Sequence, residues 1–188
     1  MKQAKLWLII MLCTNIFAAS SKKTKPDTPL TELEKLPPAT QTGANIFGCL
    51  VNGVAWLPNG SKPQNGGSNI QVYVDPTFQG GAFYVIGHQY NNPTSFISIG
   101  SGNCTNSGIY DFTNNLNSSS YKKSILGSLA CELFSSDVGT YKSGFLNISK
   151  YDLTKGIFSG TFEFKLYYSQ SLCGDTVRIT KGRFNVKL

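Results

Sequence analysis

The sequence predicts an all-β protein, built as a single antiparallel β-barrel or β-sandwich of about eight to ten strands. Beyond residue 44, no stretch of helical length shows the 3.6-residue spacing of apolar side chains that an amphipathic helix needs. Short apolar or alternating runs are instead separated by clusters of Gly, Asn, Ser and Asp, the residues that form turns. Phe and Tyr, which favour strands, number 12 and 9, whereas only 14% of residues are charged.

Nine segments are predicted to be strands because turn residues bound each of them. Their spacing, with no helix between them, distinguishes a barrel or sandwich from an α/β fold. The nine segments are residues 46–57, 69–75, 82–90, 95–100, 108–112, 121–134, 140–149, 156–168 and 175–188.

Side-chain alternation predicts which face of the last two strands packs into the core. Apolar residues occupy the even positions of 158–166, so Glu163 and Lys165 should face solvent. In the final strand the parity changes near residue 181, which predicts a β-bulge with Gly182 supplying the unusual backbone angles. The loop between the two strands should be a hairpin that ends in a left-handed Gly156.

The first 20 residues have the layout of a secretory signal peptide, with two lysines before an uncharged run over residues 6–19. The run is shorter than a membrane span, so cleavage near Ser20 is expected. A bacterial lipoprotein acylated on Cys13 is the alternative, although Leu12 stands where processing requires a small residue. We therefore expect an extracytoplasmic protein, in the periplasm, on the outer-membrane surface or secreted. It would contact the membrane only if Cys13 is lipidated.

Residues 21–44 are predicted to be a Pro-, Thr- and Lys-rich linker, and residues 45–188 the β domain. The formal net charge is +7, but the basic residues form no stripe and match no nucleic-acid-binding motif. Nucleic acid is therefore not an expected partner, and the basic residues are interpreted as a solubilising surface.

Four cysteines remain after the leader, an even number that favours two disulfides in an oxidising compartment. None lies in a C-x-x-C pair, which argues against a zinc site. Four cysteines allow three connectivities, and sequence does not choose between them. The inward parity of Cys131 and the turn position of Cys173 favour a Cys131–Cys173 bond, which would leave Cys49–Cys104 as the second.

Catalytic chemistry has few candidates in this sequence. His88 is the only His, and no G-x-S-x-G motif accompanies it. Glycoside hydrolysis needs two facing carboxylates, and nothing singles out a pair. We assign no catalytic residue, no metal ligand and no cofactor, and we keep a small hydrolase that uses His88 or a carboxylate pair as an alternative function.

An aromatic row is the feature that folding explains least. Tyr84, His88 and Tyr90 share one face of a predicted strand. Aromatic side chains on an exposed sheet can stack on sugar rings while their polar tips stay hydrated. The alternative explanation is that Tyr lines the polar side of a half-buried sheet. The predicted ligand-binding residues are Tyr84, His88, Tyr90 and Trp56, with Tyr73 and Tyr110 expected nearby.

Several segments together resemble an uncharacterised family of secreted proteins and lipoproteins from Bacteroidota. They include GCLVNG at 48–53, SGTFEF at 159–164 and ITKGRF at 179–184. The resemblance covers residues 36–188 and implies an all-β envelope domain without catalytic residues to transfer. Asn185 departs from it, since an Asp is expected after Arg-Phe, and Lys181 departs where an acidic or amide residue is usual.

These observations favour a secreted or envelope-associated, non-catalytic binding module whose ligand is a glycan or an envelope protein. A purely structural surface protein is a further alternative, because fold class and compartment do not define a ligand.

Overall fold

The computed structural model describes residues 29–60, 68–78, 80–126, 129–174 and 176–188, and these contain eleven strands in two antiparallel sheets. One sheet has six strands in the order β2-β1-β11-β10-β9-β6, and the other has five in the order β3-β4-β5-β7-β8. The strands are β1 (Ile46–Val51), β2 (Val54–Trp56), β3 (Ile70–Asp75), β4 (Ala82–Gln89), β5 (Ser95–Ser101), β6 (Gly108–Asp111), β7 (Asn117–Leu126), β8 (Leu129–Phe134), β9 (Tyr141–Asp152), β10 (Ile157–Tyr167) and β11 (Val177–Lys187).

The two sheets pack face to face, which confirms the all-β prediction and selects a sandwich rather than a closed barrel. Phe83 of the five-stranded sheet contacts Phe158 and Phe184 of the six-stranded sheet, with ring centroids 5.4 and 5.7 Å apart. All three rings are buried. Interlocked Phe side chains of this kind supply much of the apolar area that stabilises a sandwich. Within the described ranges, no helix is long and apolar enough to cross a membrane.

Two predicted strands are hairpins, so the strand count is eleven rather than eight to ten. The 46–57 run divides at Asn52 and Gly53, whose φ angles of +48° and +87° form the tight turn between β1 and β2. The 121–134 run likewise divides into the end of β7 and the whole of β8. Sequence alternation alone does not show that one long segment contains two paired strands.

The predicted bulge in β11 is present, but its cause differs from the prediction. The pairing of β11 with both neighbours shifts register at this point. Lys181 takes the left-handed conformation, with φ of +54°, so the assignment of the unusual angles to Gly182 was wrong. Gly182 is needed for space instead, because a Cβ there would lie 2.5 Å from the Phe162 ring. The predicted hairpin loop is confirmed, since Gly156 has φ of +64°.

Residues 31–44, which composition assigns to the linker, lie against the β domain and are called the strap below. Leu36 of the strap is buried. The Arg183 guanidinium donates to the Pro37 carbonyl at 3.0 Å, and the Ala55 N–H donates to the Glu32 carboxylate at 2.7 Å. The strap is therefore attached to the six-stranded sheet at several points along its length.

Asn185 is the main attachment point of the strap. Its side chain is fully buried and accepts hydrogen bonds from Gly43 N at 2.7 Å and from Ser159 Oγ at 3.1 Å. Its amide nitrogen donates to Thr40 Oγ1 at 2.5 Å and Thr42 Oγ1 at 3.3 Å. An amide suits this place because it donates and accepts at once.

Cys131 and Cys173 form a disulfide, as predicted, and it joins β8 to the turn before β11. The predicted Cys49–Cys104 bond was wrong, because both thiols are free and buried. Cys49 lies beside the start of β5, because its cross-strand neighbour Trp56 hydrogen-bonds to Ser95, the first residue of that strand. Cys104 follows the other end of β5. A strand of seven residues spans roughly 20 Å, so the two thiols lie near opposite ends of the sandwich.

Candidate functional site

The outer face of the five-stranded sheet carries a row of aromatic side chains, called the aromatic face below. Side chains alternate between the two sides of a strand, so the residues that do not enter the core point outward together. Tyr84 and His88 lie on β4, between the flanking strands β3 and β5. The members of the aromatic face are Tyr73, Tyr84, His88, Tyr90, Phe96 and Phe134.

Ring contacts link the members of the aromatic face into two groups. The Tyr73 and Tyr84 rings have centroids 6.3 Å apart. The His88 imidazole stacks on Tyr90, with centroids 5.2 Å apart and planes 9° from parallel. Phe96 contacts His88 at 5.9 Å. These distances are within the usual range of aromatic pairs, so the rings support one another without being buried in the core.

Tyr84 lies flat against the sheet because the residue opposite it on β5 is Gly100. A Cβ at Gly100 would stand 2.1 Å from Tyr84 Cδ1, so any other residue would push the ring away. Tyr84 is half-buried, which leaves the outward side of the ring open to solvent. A flat, supported ring of this kind is suited to stacking on the apolar side of a sugar.

Polar groups border the aromatic face. A shallow depression of about 260 Å³ lies between His88, Tyr90, Phe96 and Lys122, and Lys122 forms an ion pair with Glu132 beside it. At the other end Tyr73 donates to the Asp75 carboxylate at 3.3 Å. Partial desolvation and the Asp75 charge raise the pKa of Tyr73, so its hydroxyl stays protonated and able to donate.

Trp56 does not belong to the aromatic face, so its prediction as a neighbour of Tyr84 was wrong. Its side chain is 6% exposed and packs edge-on against Phe47, inside the sandwich. The indole N–H donates to Ser95 Oγ at 2.9 Å. Tyr110 is also elsewhere, on β6 of the other sheet. The three other predicted residues, Tyr84, His88 and Tyr90, share the aromatic face, with Tyr84 in one ring group and His88 and Tyr90 in the other.

Phe96 and Phe134 belong to the aromatic face but were not predicted from the sequence. Alternation could have found both. Ile97 and Leu133 are the buried neighbours of these residues, so parity places Phe96 and Phe134 on the opposite side. What alternation does not show is that β5 and β8 lie in the same sheet as β4.

Two acidic residues, Asp75 and Asp111, shape turns. Asp75 Oδ1 accepts from Thr77 N at 2.9 Å and Thr77 Oγ1 at 2.7 Å, and Asp111 makes the same pair of bonds to Thr113. These hydrogen bonds from Thr77 and Thr113 hold the pKa of the Asp75 and Asp111 carboxyls below the ordinary value. Such Asx turns fix loops, and they leave these carboxylates engaged with backbone donors. Within the described part of the chain, no group of three or more His, Cys, Asp or Glu side chains is placed to hold a metal ion.

Comparison with known proteins returns no family model, no curated protein and no solved structure that matches this chain.

Three segments named in the sequence analysis lie in the sheet opposite the aromatic face. GCLVNG spans the end of β1 and the turn to β2, SGTFEF lies in β10, and ITKGRF contains the β11 bulge. Gly160 and Gly182 in these segments approach Phe184 and Phe162 too closely for a side chain. The motifs therefore encode packing of the six-stranded sheet, and they do not coincide with the candidate site.

Proposed function

We propose that this protein is a non-catalytic binding module, exported to the bacterial envelope or beyond, that stacks its aromatic face on carbohydrate rings. The observation that carries the proposal is the flat Tyr84 ring, supported by Gly100 and flanked by Tyr73 at 6.3 Å. Aromatic residues that fold the protein are already buried in the core, whereas Tyr73 is 52% exposed. An exposed aromatic cluster on a soluble domain is typical of an interaction site.

The hydrolase alternative has less support. His88 lies between Tyr90 and Phe96 on an open sheet face rather than in a deep pocket, and Asp75 is committed to its turn. A general base works best in an enclosed site that excludes water. An open aromatic surface instead favours recognition of an extended ligand.

The proposal also includes export of the protein from the cytosol and its relation to secreted Bacteroidota proteins. The signal-like leader and the resemblance to secreted Bacteroidota proteins support export. The Cys131–Cys173 disulfide is consistent with an oxidising compartment. Fractionation of the producing cells, followed by determination of the N-terminal residue, tests this part; a protein that stays in the cytosol with its leader intact would contradict it.

Affinity gel electrophoresis in xylan, galactomannan or mixed-linkage β-glucan tests glycan binding. We expect retardation by at least one of these polymers, with an affinity about fivefold lower for Tyr84→Ala, since a stacked ring contributes roughly 1 kcal/mol. Tyr141→Ala is the matched control, because Tyr141 is 53% exposed on β9 of the other sheet. Equal retardation of both variants, or none of the wild-type protein, would contradict the proposal.

A further inference from the structure

A cleft opens at one end of the sandwich, on the inner side of the sheet that bears the aromatic face. The β1–β2 turn, the β4–β5 turn and strand β7 surround it. It consists of two adjoining hollows of about 430 and 540 Å³, a size that suits a ligand of one or two sugar rings. Both hollows are lined by Asn52, Asn92, Pro93, Tyr121 and Lys123.

One wall of the cleft is held by a chain of hydrogen bonds. Trp56 Nε1 donates to Ser95 Oγ, which donates to Gln89 Oε1 at 2.8 Å. Gln89 Nε2 in turn donates to the Leu57 carbonyl at 2.9 Å. Because every polar group in this chain already has a partner, the wall is rigid before any ligand arrives.

The cleft also holds donors that bond to none of the residues the structure describes. Asn52 Oδ1 accepts from Arg178 N at 2.8 Å, so the Asn52 amide nitrogen remains to donate. Lys122 points to the aromatic face and pairs with Glu132. The adjacent Lys123 points the opposite way, into the cleft, and makes no ion pair with any residue that the structure describes.

The described lining of the cleft has a single charge sign. Among its described residues there is one lysine and no carboxylate, and the other polar groups are mainly carboxamides: Asn52, Asn59, Gln89, Asn91 and Asn92. A cationic donor with carboxamides and aromatic edges favours a ligand that combines a carboxylate with hydroxyl groups.

We propose that this cleft binds a carboxylate-bearing sugar, a uronic acid unit, with its carboxylate on Lys123 and the Asn52 amide. The hydroxyl groups of the sugar would bond to the carboxamides of the β4–β5 turn, Asn91 and Asn92. This site lies on the opposite side of the sheet from the aromatic face, although Gln89 and Ser95 line both the cleft and the depression on that face. The proposal does not depend on the proposed function of the aromatic face.

A ¹⁵N NMR titration of the full chain tests the proposal, with digalacturonate as the probe and galactobiose as its neutral counterpart. The chain contains two Trp, and Trp7 lies in the predicted leader. Trp7→Phe assigns the indole signal of Trp56 in the unprocessed chain, and after cleavage near Ser20 that signal is the one remaining; it reports on the cleft wall. We expect digalacturonate to shift that signal and galactobiose to leave it in place. The affinity should fall as salt increases.

Adjacent lysines supply a matched pair of variants. Lys123→Met should lower the affinity for digalacturonate about tenfold, because a charge-assisted hydrogen bond is lost. Lys122→Met removes the same charge from the other side of the strand and should change the affinity less than twofold. Circular dichroism of both variants checks that the fold is intact, which is expected because Lys123 is exposed.

Three results would overturn the proposal: equal shifts with galactobiose, equal losses in both lysine variants, or no shift with millimolar digalacturonate. A shift of the same size with sodium acetate would indicate an anion site only and would overturn the sugar assignment. Tyr84→Ala separates this proposal from the first, since it should weaken polysaccharide binding and leave the digalacturonate titration unchanged.

Discussion

Asn185→Ala should detach the strap from the β domain, because this one side chain makes four hydrogen bonds at a fully buried position. Two of them reach strap residues Thr40 and Thr42, one holds Gly43 N, and one holds Ser159 of β10. Alanine replaces none of these bonds. The substitution also leaves the backbone N–H of Gly43 without its acceptor.

The expected loss of unfolding free energy follows from the number of these hydrogen bonds. A hydrogen bond contributes about 1 kcal/mol net, and a buried group left without a partner costs about 1–3 kcal/mol. Rearrangement of the strap lets water reach part of the site, which limits the total. We therefore expect the free energy of unfolding to fall by about 3–4 kcal/mol for Asn185→Ala. Asn147→Ala on neighbouring β9 should cost less than about 0.5 kcal/mol, since Asn147 makes no side-chain hydrogen bond within the described part of the chain.

Urea unfolding, analysed by linear extrapolation, measures both free energies. Hydrogen exchange at the Gly43 amide measures attachment of the strap directly, and exchange there should accelerate strongly in Asn185→Ala. A loss below about 1 kcal/mol together with unchanged exchange at Gly43 would refute the assignment of Asn185 as the attachment point.

Three further predictions concern the disulfide, the aromatic face and acid stability. Cys131→Ser should lower the free energy of unfolding by about 4 kcal/mol in urea, because the bond closes a loop over a sequence separation of 42 residues; an unchanged midpoint would count against this. In Gly100→Ala the new Cβ would meet the Tyr84 ring at 2.1 Å and the Phe83 carbonyl at 2.5 Å, so the substitution should displace the ring and weaken polysaccharide binding, with circular dichroism used to check that the sheet is intact. Gly102→Ala, with no contact under 3.4 Å, should bind normally in the same gel assay. Hydrogen bonds lower the pKa of Asp75 and Asp111 in the folded state. The stability that these two carboxylates contribute is therefore present above the ordinary Asp pKa and is lost as the pH falls below about 4. Replacing both by Ala should flatten that acid limb in unfolding curves measured from pH 6 to pH 2.

The sequence by itself determined the fold class and the local features. All-β architecture, the inward parity of Phe158 and Phe162, and the hairpin at Gly156 follow from patterns that span a few residues, because side-chain alternation and turn chemistry are local properties. The Cys131–Cys173 pair was also within reach, since parity placed Cys131 inward and composition placed Cys173 in a turn.

Only the tertiary structure decided which distant residues meet. Phe96 and Phe134 join Tyr84 because β5 and β8 belong to its sheet, and sheet order is not encoded in the periodicity of any one strand. Cys49 and Cys104 both have the burial expected of disulfide cysteines, yet they lie near opposite ends of the sandwich. Trp56 enters the core because β1 and β2 form a hairpin. In each case local patterns define a face of a strand, whereas the partner of that face depends on the packing of the two sheets.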